Sequence, residues 1–502
     1  MFNVIQGLYC KAVDTVPEPV GDRRTREVDA MIDEGRVKRL LYVTYFFSAL
    51  IVLMVGSLCY FIAVSSHDFC LDSRNARHDL LAKNVIRGDI LTADGKVIAT
   101  TKVKDGDEVR SYPYKNMFCH VGGRSDNGKT GVELLANDEL LSSDINGLKK
   151  IENDINELKN PGNNVITTLN YSLQKAAYDA LGDMKGAVVV LEPKTGKVLA
   201  LVSKPDYDPN NVSEKWEKLN KDEDGSHRLM NRATTGLYQP GSTFKVLTLL
   251  EYMRENKDYE DFKFNCKGET RVNGVTVHCA AGLVHGKEDL KSSFANSCNS
   301  AFATIGCGLD MERMRMLAET FLFNRTLPGQ LTDKAGAFAL TGKSEDIDIP
   351  QSIIGLSTTL ITPLHNALIA ATIANEGVMM TPYVIDHVEN ANGGTVTSKK
   401  PEKYNRIILE EEAEKLNEYM CAVVEDGTGS KLSTFPFKVA GKTGTATYDK
   451  DQNAHAWFIG FAPADDPEIA ISVVCESAGS GSRYAVPVAK KVLEAWERIR
   501  EK

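Results

Sequence analysis

The sequence has no surplus of positive charge. Its 502 residues carry 59 Lys and Arg against 68 Asp and Glu, a formal net charge of −9. That balance argues against broad nucleic-acid binding, which needs a basic surface to neutralise phosphates. There is no internal repeat, which excludes solenoids and propellers, and no low-complexity tail. Ten cysteines offer no Cys-x-x-Cys and no recognisable zinc spacing, so no metal or other cofactor is expected. Hydrophobic residues at 42% and charged residues at 25% sit near the globular average. Wholesale disorder, collagen and coiled coil are thereby excluded.

Charge itself is missing from one long stretch. Leu40 to Val64 reads LLYVTYFFSALIVLMVGSLCYFIAV, 25 residues without an ionisable acid or base in the Asp, Glu, Lys and Arg set. As a helix rising about 1.5 Å per residue it reaches roughly 37 Å, enough to cross a hydrocarbon core of about 30 Å. A transmembrane helix is expected at 40–64. The 39 residues ahead of it disfavour a cleaved signal. Arg36, Lys38 and Arg39 border its near side, whereas Asp68, Asp72 and Asp79 mix with Arg74 and Arg77 beyond it. Residues 1–39 therefore read as a cytoplasmic tail, and the rest as an extracytoplasmic body held to the plasma membrane by a single pass. Cys10 falls in the tail and Cys59 in the span. Cys266 and Cys279 bracket CKGETRVNGVTVHC, where a local disulfide and two separate thiols both stay open. The remaining cysteines read as small core residues.

The external body divides near Pro161-Gly162. Residues 65–165 are mixed in pattern, with a β-hairpin in RGDILTADGKVIATT around Asp94-Gly95 and a helical run over 139–160. Residues 166–502 begin with a helix near Tyr171–Leu181. A strand pair follows in GAVVVLEPKTGKVLALVS. Helices are then expected at 242–254, 290–307, 363–376 and 410–425. Strands follow at 436–441, 455–462 and 468–476, and a helix closes the chain at 484–500. Strands, helices and strands again imply an α+β fold, an antiparallel sheet covered by helices.

Two sets of motifs compete for the chemistry. Gly123 to Thr130 matches the phosphate-loop pattern GxxxxGK[ST], but MFCHVGG is a weak strand to precede it, and a surface turn is the better reading. The second set is Ser-x-x-Lys, Ser-x-Asn and Lys-Thr-Gly, the elements of serine acyltransferases that use a lysine base. Ser-x-x-Lys occurs at Ser172 and Ser242, Ser-x-Asn at Ser73, Ser125 and Ser297, and Lys-Thr-Gly at Lys129, Lys194 and Lys442. Order selects Ser297-Cys298-Asn299 and Lys442-Thr443-Gly444. Ser242 follows Gln239-Pro240-Gly241 and opens the apolar run Val246, Leu247, Leu249, Leu250, a turn into a buried helix. Lys245 returns to the same face one turn on. Ser172 reads instead as the exposed face of a structural helix.

A serine hydroxyl becomes nucleophilic only when a neighbouring base takes its proton, and Lys245 does so only when neutral. Lys442 is the candidate cation that keeps it so. Ser297 relays the proton, and Asn299 orients Lys245 and holds substrate amide. VAGKTGTA at 439–446 reads as an edge strand along which a peptide adds by β-augmentation. Lys442 and Thr443 then meet a carboxylate, and Thr445 N–H joins Ser242 N–H as an oxyanion hole.

Taken together, NRATTGLYQPGSTFKVLT (231–248), SFANSCNSAFATIG (293–306), VAGKTGTA (439–446) and HAWFIGFAP (455–463) resemble a class B penicillin-binding protein. RGDILTADGKVIA (87–99), YPYKNMFCHVGG (112–123), GKTGVE (128–133) and ITPLHNALIAATIANEG (361–377) extend the likeness over roughly residues 85–500. The resemblance implies a monofunctional peptidoglycan D,D-transpeptidase with a non-catalytic pedestal at 65–165 and a transpeptidase domain at 166–502. Ser242 would be acylated, Lys245 its base, Ser297 and Asn299 the second motif, and Lys442, Thr443, Gly444 and Thr445 the third. It further implies donor stem peptides ending in D-Ala-D-Ala, covalent inhibition by β-lactams, and a SEDS-type glycosyltransferase partner in the membrane. A D,D-carboxypeptidase would carry the same motifs. A β-lactam sensor or inactive scaffold is the non-enzymatic alternative. Val284-His285-Gly286 has Val where a Gly-His-Gly is frequent, so His285 is given no role, and Cys298 reads as a small packing residue.

Overall fold

The structure, a computed structural model, describes residues 23–62, 81–104, 106–331, 333–446 and 454–501. It divides into two compact units, Met1–Asp72 and Ser73–Lys502. Cys10, Cys70, the end of the apolar run at Ala63 and Val64, and the flanking Asp68, Asp72, Arg74, Arg77 and Asp79 lie outside the described residues.

In the first unit, Arg23–Tyr60 is one helix of 38 residues, longer at its N-terminal end than the apolar run alone predicts. Its Arg36–Tyr60 part is apolar and long enough to cross a membrane, and none of it is buried within the protein. Val52 is 71% exposed and Leu53 70%.

In the second unit the chain builds two principal sheets. One has six strands in the order Thr395–Ser398, Ile385–Glu389, Asn164–Thr167, Ile90–Leu91, Val97–Lys104, Asp107–Ser111. The hairpin expected around Asp94-Gly95 is its Ile90–Leu91 and Val97–Lys104 pair. Two of its strands come from far down the chain, so this sheet continues across residue 165. The helical run at 139–160 resolves into two short helices, Asn137–Leu140 and Gly147–Ile155.

The other sheet has five antiparallel strands, ordered Ala440–Ala446, His455–Ala462, Ile469–Cys475, Gly186–Leu191, Val198–Lys204. Period-2 alternation sends Trp457, Ile459 and Phe461 into one core and Ala456, Phe458 and Ala462 into another. Both faces are buried, which is why HAWFIGFA reads as an unbroken apolar run. Tyr171–Leu181 and Ala485–Arg500 cover one face. The wholly buried helix Pro363–Ala374 covers the other. The fold is the expected α+β sheet covered by helices. Its first strand, Ala440–Ala446, stands at an edge and starts later than the 436–441 expectation.

The helix expected at 290–307 is broken. Leu290–Ala295 ends, Ser297 takes a left-handed backbone at φ 56°, and Asn299–Cys307 begins with Cys298 as its N-cap. Apolar periodicity ran through the break because both halves bury the same face. This interruption is the first structural element of the site.

Candidate active site

Ser242 sits in a one-turn 3-10 helix, Gly241–Thr243, that leads into the Lys245–Glu255 helix. The helix forms because Val246, Leu247, Leu249 and Leu250 are all buried. The turn is fixed by its neighbours. Gly241 N–H donates to Gly355 O at 2.8 Å, and Trp457 Nε1–H donates to Gln239 O at 3.0 Å. Gly241 has φ +54°, and a Cβ there would stand 2.7 Å from Thr445 O. The serine turn thus lies directly against the edge strand, closer than any side chain would allow.

Lys245 is fully buried one step into the helix. Its Nζ donates to Ser297 O at 2.8 Å and Asn299 Oδ1 at 2.7 Å, with Ser297 Oγ at 3.5 Å. Asn299 Nδ2 donates to His278 O at 3.0 Å, which fixes the amide with its oxygen toward the lysine. Lys442, equally buried, donates to Ser297 Oγ at 2.9 Å. One hydroxyl therefore lies between two lysines. Phe302 and Phe294 each present a ring 5.3 Å from Lys245 Nζ and Lys442 Nζ respectively.

These surroundings set the protonation. Burial pushes Lys245 down to about 7. Burial and then the positive charge of Lys245 push Lys442 well below the ordinary lysine value. Among the described residues neither lysine has a carboxylate within ion-pair distance. A desolvated amine beside a second one gives up its proton readily, the condition a base at neutral pH requires.

Along the edge strand, Lys442, Thr443, Gly444 and Thr445 pair with Ile459, Phe458, Trp457 and Ala456. Thr443 Oγ1 lies 2.6 Å from Thr428 Oγ1, a contact that no motif foretold. Gly444 packs against the serine turn, where a Cβ would stand 2.7 Å from Pro240 O. The fold thus brings the three motifs together, with Ser242, Ser297, Asn299 and Thr445 half-buried above the covered lysines.

The rival motifs go elsewhere. Ser172 is exposed near the start of the Tyr171–Leu181 helix, and Lys175 there pairs with Asp179. Lys194 sits at the turn between two sheet strands and pairs with Asp466. The phosphate-loop pattern follows the 3-10 turn Lys115–Phe118 rather than a strand, and it closes on itself. A Cβ on Gly123 would fall 1.7 Å from Thr130 O.

Two clusters escaped the sequence reading. Arg87 and Glu133, from separate signature segments, and Arg110, from none, form a buried ion triad with both pairs at 2.7 Å. Cys266 and Cys279, open in sequence between a disulfide and two thiols and free here, converge with Cys298, read as a small packing residue, and His285, given no role, on one volume behind Ser297 and Asn299. Their spacing, C-x12-C-x5-H-x12-C, matches no short metal motif, so only their mutual separation by turns hinted at it.

Residues 186–494 match the penicillin-binding protein transpeptidase domain family. The chain belongs to that family. Residues 87–165 match a second family, the penicillin-binding protein A dimerisation domain. The peptidoglycan D,D-transpeptidase PbpA of Mycolicibacterium smegmatis is 32% identical over 480 residues, covering 89% of this chain and 96% of that one. Stage V sporulation protein D of Bacillus subtilis is 27% identical, over 80% of this chain and 67% of its own length. Among solved structures, the penicillin G acyl-enzyme of Mycobacterium tuberculosis penicillin-binding protein A has 29% identity and a TM-score of 0.73. That match covers 82% of this chain and 99% of the other. A D,D-transpeptidase domain from Eggerthella lenta has 30% identity and a TM-score of 0.74, over 83% of this chain and 99% of its own. This transpeptidase domain is thus that of a serine penicillin-binding enzyme.

Proposed function

We propose that this chain is a membrane-anchored peptidoglycan D,D-transpeptidase that crosslinks stem peptides through an acyl-enzyme on Ser242. The observation that carries the proposal is Lys245: fully buried, in no ion pair among the described residues, and three positions from the serine in a rigid turn. In this reading neutral Lys245 takes the Ser242 proton as Oγ attacks the carbonyl of the penultimate D-Ala. The N–H groups of Ser242 and Thr445 hold the oxyanion. Ser297 passes the proton to the leaving amine, and the terminal D-Ala departs. The amine of a second stem peptide then attacks the ester, forming the crosslink and restoring the serine. Asn299 orients Lys245. Lys442 holds Ser297 Oγ in place by donating to it. Thr443, Gly444 and Thr445 line the strand edge on which donor peptide and β-lactam bind.

The proposal extends to organisation. Residues 1–39 form the cytoplasmic tail, 40–64 the span, 65–165 the pedestal and 166–502 the catalytic domain outside the plasma membrane. A SEDS-type glycosyltransferase in the same membrane supplies nascent glycan. Support comes from the uncovered helix Arg36–Tyr60 and the basic residues before it.

The test uses full-length protein in detergent with a fluorescent penicillin. Wild type is expected to label at one site, and Ser242→Ala is expected to abolish labelling. Persistent labelling of Ser242→Ala would remove Ser242 as nucleophile. With lipid-linked, polymerised glycan, crosslinked product is expected; D-Ala release alone would assign a D,D-carboxypeptidase instead.

A further inference from the structure

The two threonines of the edge strand are held differently. Thr445 Oγ1 accepts from Gly481 N–H at 3.4 Å, whereas Thr443 Oγ1 lies 2.6 Å from a second hydroxyl, that of Thr428. Thr428 stands outside all three motifs, in the turn that follows the helix Glu410–Glu425. Its own N–H donates to Ala295 O at 3.2 Å, and Gly429 N–H donates to Val423 O at 2.9 Å. A Cβ on Gly427 would stand 2.3 Å from Ala295 O, so the turn lies flat against the end of the helix Leu290–Ala295. Ala295 is two residues ahead of Ser297. Thr428 thus meets the approach to the second motif through its backbone and the third motif through its side chain.

Hydroxyl arithmetic gives this contact a direction. The Thr428 hydroxyl has Ala295 O as its other partner, but at 3.5 Å; the 2.6 Å contact is much the stronger. Two hydroxyls joined by one bond divide their roles, because each has a single proton to give. Were Thr443 to donate to Thr428, only lone pairs would face an incoming carboxylate, and the two would repel. With Thr428 as donor, Thr443 keeps its proton for the carboxylate, and each bond in the chain polarises the next. Lys442 Nζ donates to Thr443 O at 3.3 Å, so the residue is held at its carbonyl as well as at its hydroxyl.

We propose that Thr428 is the positioning residue of the carboxylate site: its hydroxyl donates to Thr443 Oγ1, turns the Thr443 proton outward, and so makes the edge strand select donors that bear a free carboxylate. Thr428 touches no reacting group and acts through Thr443. The bond from its backbone to Ala295 needs no hydroxyl and would form with any residue, so the side chain has a use separate from holding the turn. No covalent bond forms or breaks in this role. It rests on the acyl-enzyme reading, in which the edge strand is the donor site.

The experiment uses full-length protein in detergent and two probes, benzylpenicillin and its uncharged methyl ester. Each is timed by competition with fluorescent penicillin. Thr428→Val is expected to lower the acylation efficiency of benzylpenicillin by about tenfold, the share of one hydrogen bond to a charged group. The loss should fall on the initial complex and leave the acylation step itself little changed. The methyl ester brings no charge to Thr443 and should lose far less. Thr428→Ala serves as a second donor-free variant, and Thr428→Ser should restore the preference for the acid. In a Thr443→Val background, Thr428→Val should have no further effect. Equal slowing of acid and ester would make Thr428 a structural latch and overturn the proposal, as would additive losses in the double variant. Full acid preference in Thr428→Val would overturn it too. With wild type labelling at Ser242, those results remove the role of Thr428 alone; a wild type that never labels there would overturn the acyl-enzyme reading and this role with it.

Discussion

Glu133 lies fully buried between Arg87 and Arg110 in the 87–165 region, while Lys245 and Lys442 lie as deeply buried under the serine turn. The first cluster pairs opposite charges. Arg87 also reaches Asn137 Oδ1 at 2.7 Å, Arg110 reaches Gly88 O at 2.6 Å, and Tyr112 OH donates to Glu133 at 3.1 Å. Burial alone would raise the Glu133 carboxyl, but the two guanidiniums overcome it and hold the group below the usual range. The second cluster has no ion pair among the described residues, and burial drives both lysines down instead. Where opposite charges pair, the fold gains a fixed joint; where two amines are buried without an ion pair, the molecule holds a group ready to exchange a proton.

That contrast breaks or sharpens under substitution. The largest effect is expected from Lys245→Met, which should slow penicillin acylation by about 10³-fold or more while thermal stability holds or rises. Unfolding of this variant would show the lysine to be a structural joint after all. Glu133→Gln should do the reverse. Leaving two arginines without their carboxylate should cost about 3–5 kcal/mol of stability, read by denaturant unfolding, with the folded fraction still acylated by penicillin.

Acylation rate should rise with pH as Lys245 loses its proton, by about tenfold between roughly pH 6 and pH 8, and level off above. A flat profile would remove Lys245 as base. The smallest effect is on stability itself. Glu133, held low, contributes stability that is present above the ordinary carboxylate value and is lost as acid carries the pH below about 4. Lys245 titrates near 7 in the folded chain and near about 10.4 when unfolded, so stability should climb with pH between those values. Lys245→Met should reduce that climb, leaving the share due to Lys442, and leave the acid limb unchanged, as followed by melting temperature against pH.

The order of motifs preferred Ser297 and Lys442 to their rivals, and local pattern, a turn into a buried helix, preferred Ser242 to Ser172. The strands at 455–462 and the helices at 410–425 and 484–500 were legible for the same reason: one period, continuously buried. The break at Ser297 was not. Apolar spacing continues through it, and a left-handed residue leaves no mark on hydrophobic periodicity. The hairpin of Ile385–Glu389 and Thr395–Ser398 joined a sheet begun some 290 residues earlier, and local pattern carries no information on such pairing. The Arg87–Glu133–Arg110 triad and the Cys3His cluster were hidden likewise, since their partners meet only through tertiary folding.

The left-handed Ser297 also limits what evolution can try at that position. An L-residue with φ near 56° bears a cost of about 1–2 kcal/mol that glycine and asparagine largely escape. Neither of those offers a hydroxyl to Lys442. Threonine offers one, but its branched Cβ fits that backbone angle worst. Tyrosine is too large for a half-buried place between two lysines. Serine is left as the single side chain that tolerates the angle and supplies the oxygen, so resistance arising by replacement should bypass residue 297 and accumulate in the walls around it.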